Sequence, residues 1–332
     1  MISIISRNGF SKLEWRVPIA LLATYVSFGS GPAAVASAIQ GFPPLLMVSA
    51  RGVIAGAILT LWALHGGAER PSWGQWRAAA FIGFLILTCG AGAGTYGQLT
   101  VASGVAGVLS ALLPLLAACI GYILFREKLP RPATVGLVIG FAGVGILLRP
   151  GSGFDLFGVG VIVLGQLAWA LGAELAPRAG LPDDPRLAAG LELLAGGAAL
   201  FVVAMLFGDV ARLHLAEVPR FSWLGFGWFI LIAIVGFTAF GFLTKAVAPA
   251  IATTFSYVNP LVAILLGWLL YGEPITMRMA VATATIVIGV CLIVSTKPAA
   301  PGKVRHPFTS GHGHRPLLPH SPALRPLNLR SR

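Results

Sequence analysis

The sequence predicts an all-α membrane protein, with ten transmembrane helices arranged as two inverted five-helix repeats. Three observations carry this reading: the composition, a series of apolar segments each about one bilayer long, and an internal duplication. Of 332 residues, 57% are hydrophobic and 10% charged, against roughly 25% charged in a soluble domain. The mean hydropathy is +0.87. One soluble core of this size does not hide so much apolar surface. Lipid does, provided that each helix satisfies its own backbone hydrogen bonds.

The elements follow in chain order. Residues 1–16 form a basic N-terminus with Arg7, Lys12 and Arg16. The apolar run after it, Val17 to Ala38, exceeds the ~7–15 residues of a signal-peptide core. It is therefore read as a retained first helix, although Ala36-Ser37-Ala38 has the form of a cleavage site. Runs of about 20 apolar residues separated by charged or Pro/Gly-rich breaks predict helices over 17–38, 44–65, 77–98, 102–124, 132–149, 157–178, 186–207, 222–244, 250–271 and 277–296. The connections are short, so consecutive helices run antiparallel. Trp15, Trp73, Trp76 and Trp223 fall near helix ends, as in an interfacial aromatic belt. Residues 297–332 are basic, rich in Pro and His and without helical period; they are expected to be a disordered tail or a stretch foreign to the native chain.

Charge orients the bundle. If the N-terminus is cytoplasmic, 18 Lys and Arg fall on the cytoplasmic side and four (Arg149, Arg212, Arg220 and Arg278) on the other, with Arg51 inside a helix. The positive-inside rule then places both termini in the cytoplasm of a multi-pass inner-membrane protein. The net charge of +12 is accounted for by these loops. No basic segment has the interleaved aromatics of a nucleic-acid binder. Cys89, Cys119 and Cys291 lie in apolar runs without CxxC spacing, which argues against a disulfide framework or a zinc site.

The duplication links Val101–Leu129 to Val247–Ile275 at an offset of 146. Ten of the 29 positions are identical without a gap, including Ser110/Ser256, Pro114/Pro260, Gly121/Gly267 and Glu127/Glu273. The same offset aligns Gly143-Val144 with Gly289-Val290. The first repeat is read as residues 17–150 and the second as 151–296. Five helices per half is an odd number, so the second half enters the membrane the other way round. Inverted repeats of this kind are typical of secondary transporters, with the substrate site near the midplane between the halves.

These residues resemble the drug/metabolite transporter superfamily, in its ten-helix branch with two EamA-type domains. The resemblance rests on Phe28-Gly29-Ser30 in helix 1, Phe42-Pro43-Pro44 before helix 2 with Arg51 inside it, and the run from Ser103 through Pro114 to Arg126-Glu127-Lys128. It rests also on Ser256-Tyr257-Val258-Asn259-Pro260 leading to Gly272-Glu273. Gly31-Pro32 and Glu174 depart from the pattern. The resemblance implies a bacterial exporter of amino acids, aromatic or other neutral ones among them, or of related small metabolites. It also implies a central pocket lined by helices 1, 3, 4, 6, 8 and 9. Sugar-phosphate and nucleotide-sugar exchangers belong to the same superfamily.

Candidate binding residues are polar or aromatic positions on helices flanking the repeat interface. In helix 9, Thr253, Ser256, Tyr257 and Pro260 share one face, with Thr254 and Asn259 adding polarity; Ser110 and Pro114 hold the matching face of helix 4. Each proline removes a backbone N–H bond and lets the helix bend. The alternative is small-residue packing between helices. Tyr96 and Gln98 in helix 3, and Gln166 and Trp169 in helix 6, suit an organic substrate by stacking and hydrogen bonding, or are ordinary aromatic packing. Arg51 and Glu192 are intramembrane charges, read as gating or structural: they face one another, or Arg51 snorkels to the nearer surface about 10 Å away. Glu174 stands one turn before Arg178, the spacing of a local pair. Gly90-Ala-Gly-Ala-Gly94 lies in an apolar helix without a following Lys-Ser/Thr, so it is read as close helix packing and not as a phosphate loop.

No catalytic triad, metal-ligand cluster, nucleotide motif or cofactor site is read from the chain. The expected partners are a small-molecule substrate and the bilayer, with the protein a monomer or weak dimer. The alternative functions are a lipid or lipid-linked-sugar flippase and a non-transporting membrane assembly factor.

Overall fold

The computed structural model describes residues 15–148, 155–247, 251 and 254–295. Arg7, Lys12, Arg149, Thr253, the side chain of Lys245 and the tail expected from 297 lie outside the described residues. The described chain forms helices α1 Arg16–Ala38, α2 Pro44–His65, α3 Trp73–Gly97, α4 Ser103–Phe125, α6 Leu156–Arg178 and α7 Pro185–Leu206. The set is completed by α5 Arg131–Leu147, α8 Arg220–Ala246, α9 Phe255–Tyr271 and α10 Met277–Val294. Eight of these are long and apolar enough to cross a membrane, and α5 and α9 are shorter apolar helices. Seventeen residues in each give about 26 Å of rise, slightly less than the ~30 Å hydrocarbon core.

Three of the predicted continuous helices are interrupted. α1 consists of Arg16–Gly29 and Gly31–Ala38, joined at Ser30. Pro32 has no N–H to give the Phe28 carbonyl, so the regular ladder fails there. α4 breaks at Ala111, between Ser103–Ser110 and Leu112–Phe125, because Pro114 likewise cannot serve the carbonyl of Ser110. α3 widens into a π-helix over Phe84–Gly92, a distortion frequent at functional sites. Pro260 sits inside α9 without ending it.

Glycines bring helices together in antiparallel pairs. Gly52 and Gly56 of α2 pack on the backbone of Gly190, Leu193 and Gly197 of α7. A Cβ added to Gly56 would lie 2.6 Å from Leu194 N, so the backbones meet more closely than any side chain permits. Gly90 and Gly94 of α3 pack against Gly165 of α6. In the α5–α10 pair, a Cβ on Gly143 would sit 2.9 Å from Ile286 N, and one on Gly289 2.6 Å from Gly140 N. A shift of 146 residues exchanges these two approaches. The pairs α2–α7, α4–α9 and α5–α10 map onto themselves under that exchange, and α1–α8 maps onto α3–α6. Helix ends repeat as well. Arg126 and Gly272 both take the left-handed conformation, φ 54° and 64°. The following Glu127 and Glu273 donate backbone N–H groups to Gly121 and Gly267 carbonyls at 3.1 and 3.2 Å.

The two main apolar clusters each draw on both halves of the sequence. One joins α1 and α2 with α7 and α8, around Val48, Leu59, Leu200 and Ile232. The other joins α4 and α6 with α10, around Leu109, Leu115, Ile162 and Ile286. Connections between antiparallel helices meet through side-chain bonds. Thr100 bonds Asp155, Asp209 caps α2 through Leu45 and Glu273 bonds Ser103. Glu127 pairs with Arg178. Trp15 and Trp73 are exposed at helix starts.

Candidate binding cavity

A cavity of about 310 Å³ opens between α1, α3, α4, α6, α8 and α9, and Arg51 reaches it from α2. Its position follows from the irregular helices. Gly31 and Pro32 at the break of α1, Gly90 and Gly94 in and beyond the π-helical turn of α3, and Ser110 and Ala111 at the break of α4 all line it. Three prolines, Pro32, Pro114 and Pro260, deprive the carbonyls of Phe28, Ser110 and Ser256 of their i+4 amide donors. Each of those three residues lines the cavity. The Ser110 hydroxyl bonds the Gly107 carbonyl at 2.7 Å.

The walls are amphipathic. Phe28, Phe237, Phe240 and Phe255 form an aromatic cluster, with Phe28 and Phe255 rings 5.0 Å apart and Phe240 and Phe255 rings 5.5 Å apart. Trp169 lines the cavity from α6. Polar groups are few. Gln98 and Asn259 both line the space, and the side-chain oxygen of each is buried with no hydrogen-bond partner among the described residues. The guanidinium of Arg51 stacks on Phe229 with Cζ 4.1 Å from the ring centroid. Its Nε donates to the Phe229 carbonyl at 3.0 Å. Phe229 stands eight residues before Phe237 on α8, so the cation and the aromatic cluster are separated by about 12 Å along that helix.

A family profile for the EamA-like transporter family matches residues 15–149 and again 156–295. The chain belongs to this family. Relatives include the uncharacterized inner membrane transporter YedA of Escherichia coli K12, 34% identical over 86% of this chain and 92% of its own length. Others are the uncharacterized transporter YvbV of Bacillus subtilis, 25% identical over 78% and 84%, and the chloroplastic WAT1-related protein At3g02690 of Arabidopsis thaliana, 23% identical over 87% and 71%. A solved crystal structure shares the fold with TM-score 0.59 and 21% identity, covering 83% of this chain and 95% of that one. The ten helices of the EamA-like fold are the ten predicted from the apolar segments.

Of the residues singled out in the sequence, Gln98, Ser110, Gln166, Trp169, Ser256, Asn259 and Arg51 are brought together at the cavity. Tyr96, Thr254, Tyr257 and Glu192 are not among its lining. Tyr96 packs on the first apolar cluster with its ring 6.4 Å from Phe207, and Tyr257 packs on the second. Thr254 shares a 2.7 Å hydrogen bond with the Tyr25 hydroxyl. Arg51 and Glu192 do not pair. α2 and α7 meet through backbone at Gly52 and Leu193, and the arginine one position earlier turns to α8 instead. Nor does Arg51 snorkel: it is 7% exposed. Glu174 joins Arg178 at 3.7 Å, as its spacing suggested, and Arg178 also reaches Glu127 at 2.7 Å. Phe229, Phe237 and Phe240 do not stand out in the sequence. Their spacing of eight and three residues in α8 is a helical-face signal, masked by the uniform hydrophobicity of that segment.

Proposed function

We propose that the protein is an inner-membrane secondary transporter that exports amino acids, aromatic or other neutral ones, or related small metabolites, by alternating access through this cavity. The observation that carries the reading is the cavity itself: aromatic walls with a few amide, hydroxyl and guanidinium groups, built by helices from both halves of the chain. A pocket of this size and polarity suits a small organic molecule. The symmetric exchange of helix contacts supports an inverted relation between residues 17–150 and 151–296. Two near-equivalent halves have inward- and outward-open arrangements of similar energy, which is what alternating access requires. The sequence has no nucleotide-binding motif, so movement by facilitated diffusion or proton coupling is favoured.

The test is counterflow in proteoliposomes. Vesicles loaded with an unlabelled amino acid should accumulate the radiolabelled one transiently, and the Gly94→Phe variant should not. Gly94 lines the cavity, and a Cβ there meets nothing within 4 Å, so the substituted side chain starts in open space. Counterflow no greater than in protein-free vesicles for the whole set of amino acids would overturn the substrate assignment. Undiminished counterflow through Gly94→Phe would overturn the assignment of this cavity as the path.

A further inference from the structure

We infer that Arg51 is the anion-binding residue of the cavity, and that the transported molecule carries a carboxylate or chemically similar oxyanion that docks on its guanidinium; this rests on the transporter reading above.

A charged side chain inside a membrane bundle costs about 2.5–3.5 kcal/mol on insertion scales and is ordinarily paired or brought to the interface. Arg51 does neither. Among the described residues the ion pairs are Arg178–Glu127, Arg178–Glu174, Arg186–Asp184 and Arg212–Asp209, and none includes it. A guanidinium has five N–H donors and no acceptor. Among the described residues only Nε has a partner, the Phe229 carbonyl. The four terminal N–H groups have none among the described residues, and the residue is part of the cavity wall. The Phe229 ring supplies a cation–π contact that holds the plane of the guanidinium without using those donors. What remains is a planar pair of N–H groups at a cavity, the arrangement that receives a carboxylate through two parallel hydrogen bonds.

The surroundings agree with this assignment. Among the described residues that line the cavity none is a carboxylate. The site therefore attracts an anion. A purely structural arginine would be expected to have its charge met by the protein, as Arg178 and Arg186 have.

The experiment uses the purified full chain in lipid nanodiscs and three probes that share a phenyl ring: L-phenylalanine, 3-phenylpropionate and 2-phenylethylamine. Binding is read by isothermal titration calorimetry. L-Phenylalanine and 3-phenylpropionate should each bind at least about tenfold more tightly than 2-phenylethylamine, as expected for loss of a charge-assisted pair. Arg51→Gln should bring the three affinities within about twofold of one another. Arg51→Lys, which keeps the charge but not the fork, should retain part of the preference. The comparison of probes on the unaltered protein stands even if Arg51→Gln does not fold. Equal affinities on the unaltered protein, failure of both carboxylates to bind, or a preference that survives in Arg51→Gln would each overturn the inference. Counterflow separates the two claims. A carboxylate preference without amino-acid flux counts against export and supports the anion site, whereas flux without that preference does the reverse.

Discussion

Glu127 and Glu273 occupy the same position of the internal repeat, follow the same left-handed helix end, and should contribute very differently to stability. The Glu273 carboxylate accepts three hydrogen bonds at the start of α4: from Ser103 N and Ser103 Oγ at 2.7 Å each, and from Gly104 N at 2.8 Å. It ties the α9–α10 turn to a helix N-terminus, where the backbone presents unpaired N–H groups and a positive dipole end. Hydrogen bonds to a charged group contribute about 1.5–3 kcal/mol each when buried. Glu273 is half-buried, so water replaces part of what Glu273→Ala removes; the loss is set at about 2–3 kcal/mol in total, near the upper range for a single cap. Among the described residues the Glu127 side chain bonds only Arg178, with the two side chains 55% and 42% exposed. Exposed pairs contribute about 0–1 kcal/mol. Thermal unfolding of the two variants in one detergent, followed by intrinsic fluorescence, should place Glu273→Ala several degrees below the parent and Glu127→Ala within one or two degrees of it. Equal shifts, or a larger shift for Glu127→Ala, would refute the reasoning that the cap, and not the repeat position, decides the effect.

Three further outcomes are expected. Asn259→Ala should weaken L-phenylalanine binding while Tyr257→Phe leaves it unchanged, because only the former lines the cavity; equal losses by calorimetry would return both to a common role. Asp155 accepts a 2.6 Å hydrogen bond from Thr100 and two from the first turn of α6, and the Thr100 hydroxyl, followed by the Gly158 N–H, holds its carboxyl below the usual carboxylate range. A depressed pKa contributes stability above the unfolded value near 3.9 and loses it as pH falls through the folded value, so the melting difference between parent and Asp155→Asn should be full at pH 7 and shrink below about pH 4; a difference that grows on acidification would contradict the sign. Finally, in a background without Cys89, Cys119 and Cys291, an impermeant thiol reagent applied to intact cells should label Glu217→Cys and spare Lys128→Cys; the opposite pattern would invert the orientation drawn from the charges.

The sequence by itself determined the features that depend on a short stretch of chain. Apolar runs of about 20 residues specify helices because lipid tolerates no unpaired backbone, so the ten segments and their breaks were legible. The repeat was legible for the same reason. Pro114 and Pro260 act through their missing N–H, and the turn before Glu127 and Glu273 through local backbone conformation, each needing nothing from distant residues.

The tertiary structure decided which way each side chain faces. Neighbouring positions on a helix differ by ~100°, and in a segment that is apolar all round no periodicity sets the phase. Ser256 and Asn259 therefore reach the cavity where Tyr257 does not, and Gln98 does where Tyr96 packs on Phe207. The fate of Arg51 depends on a carbonyl and a ring 178 residues away. Its own segment permitted pairing with α7 or a turn to the surface equally well. The two glutamates of the repeat part company for the same physical reason: their local sequence is alike, but what each carboxylate bonds to is supplied by a helix packed against it from elsewhere in the chain.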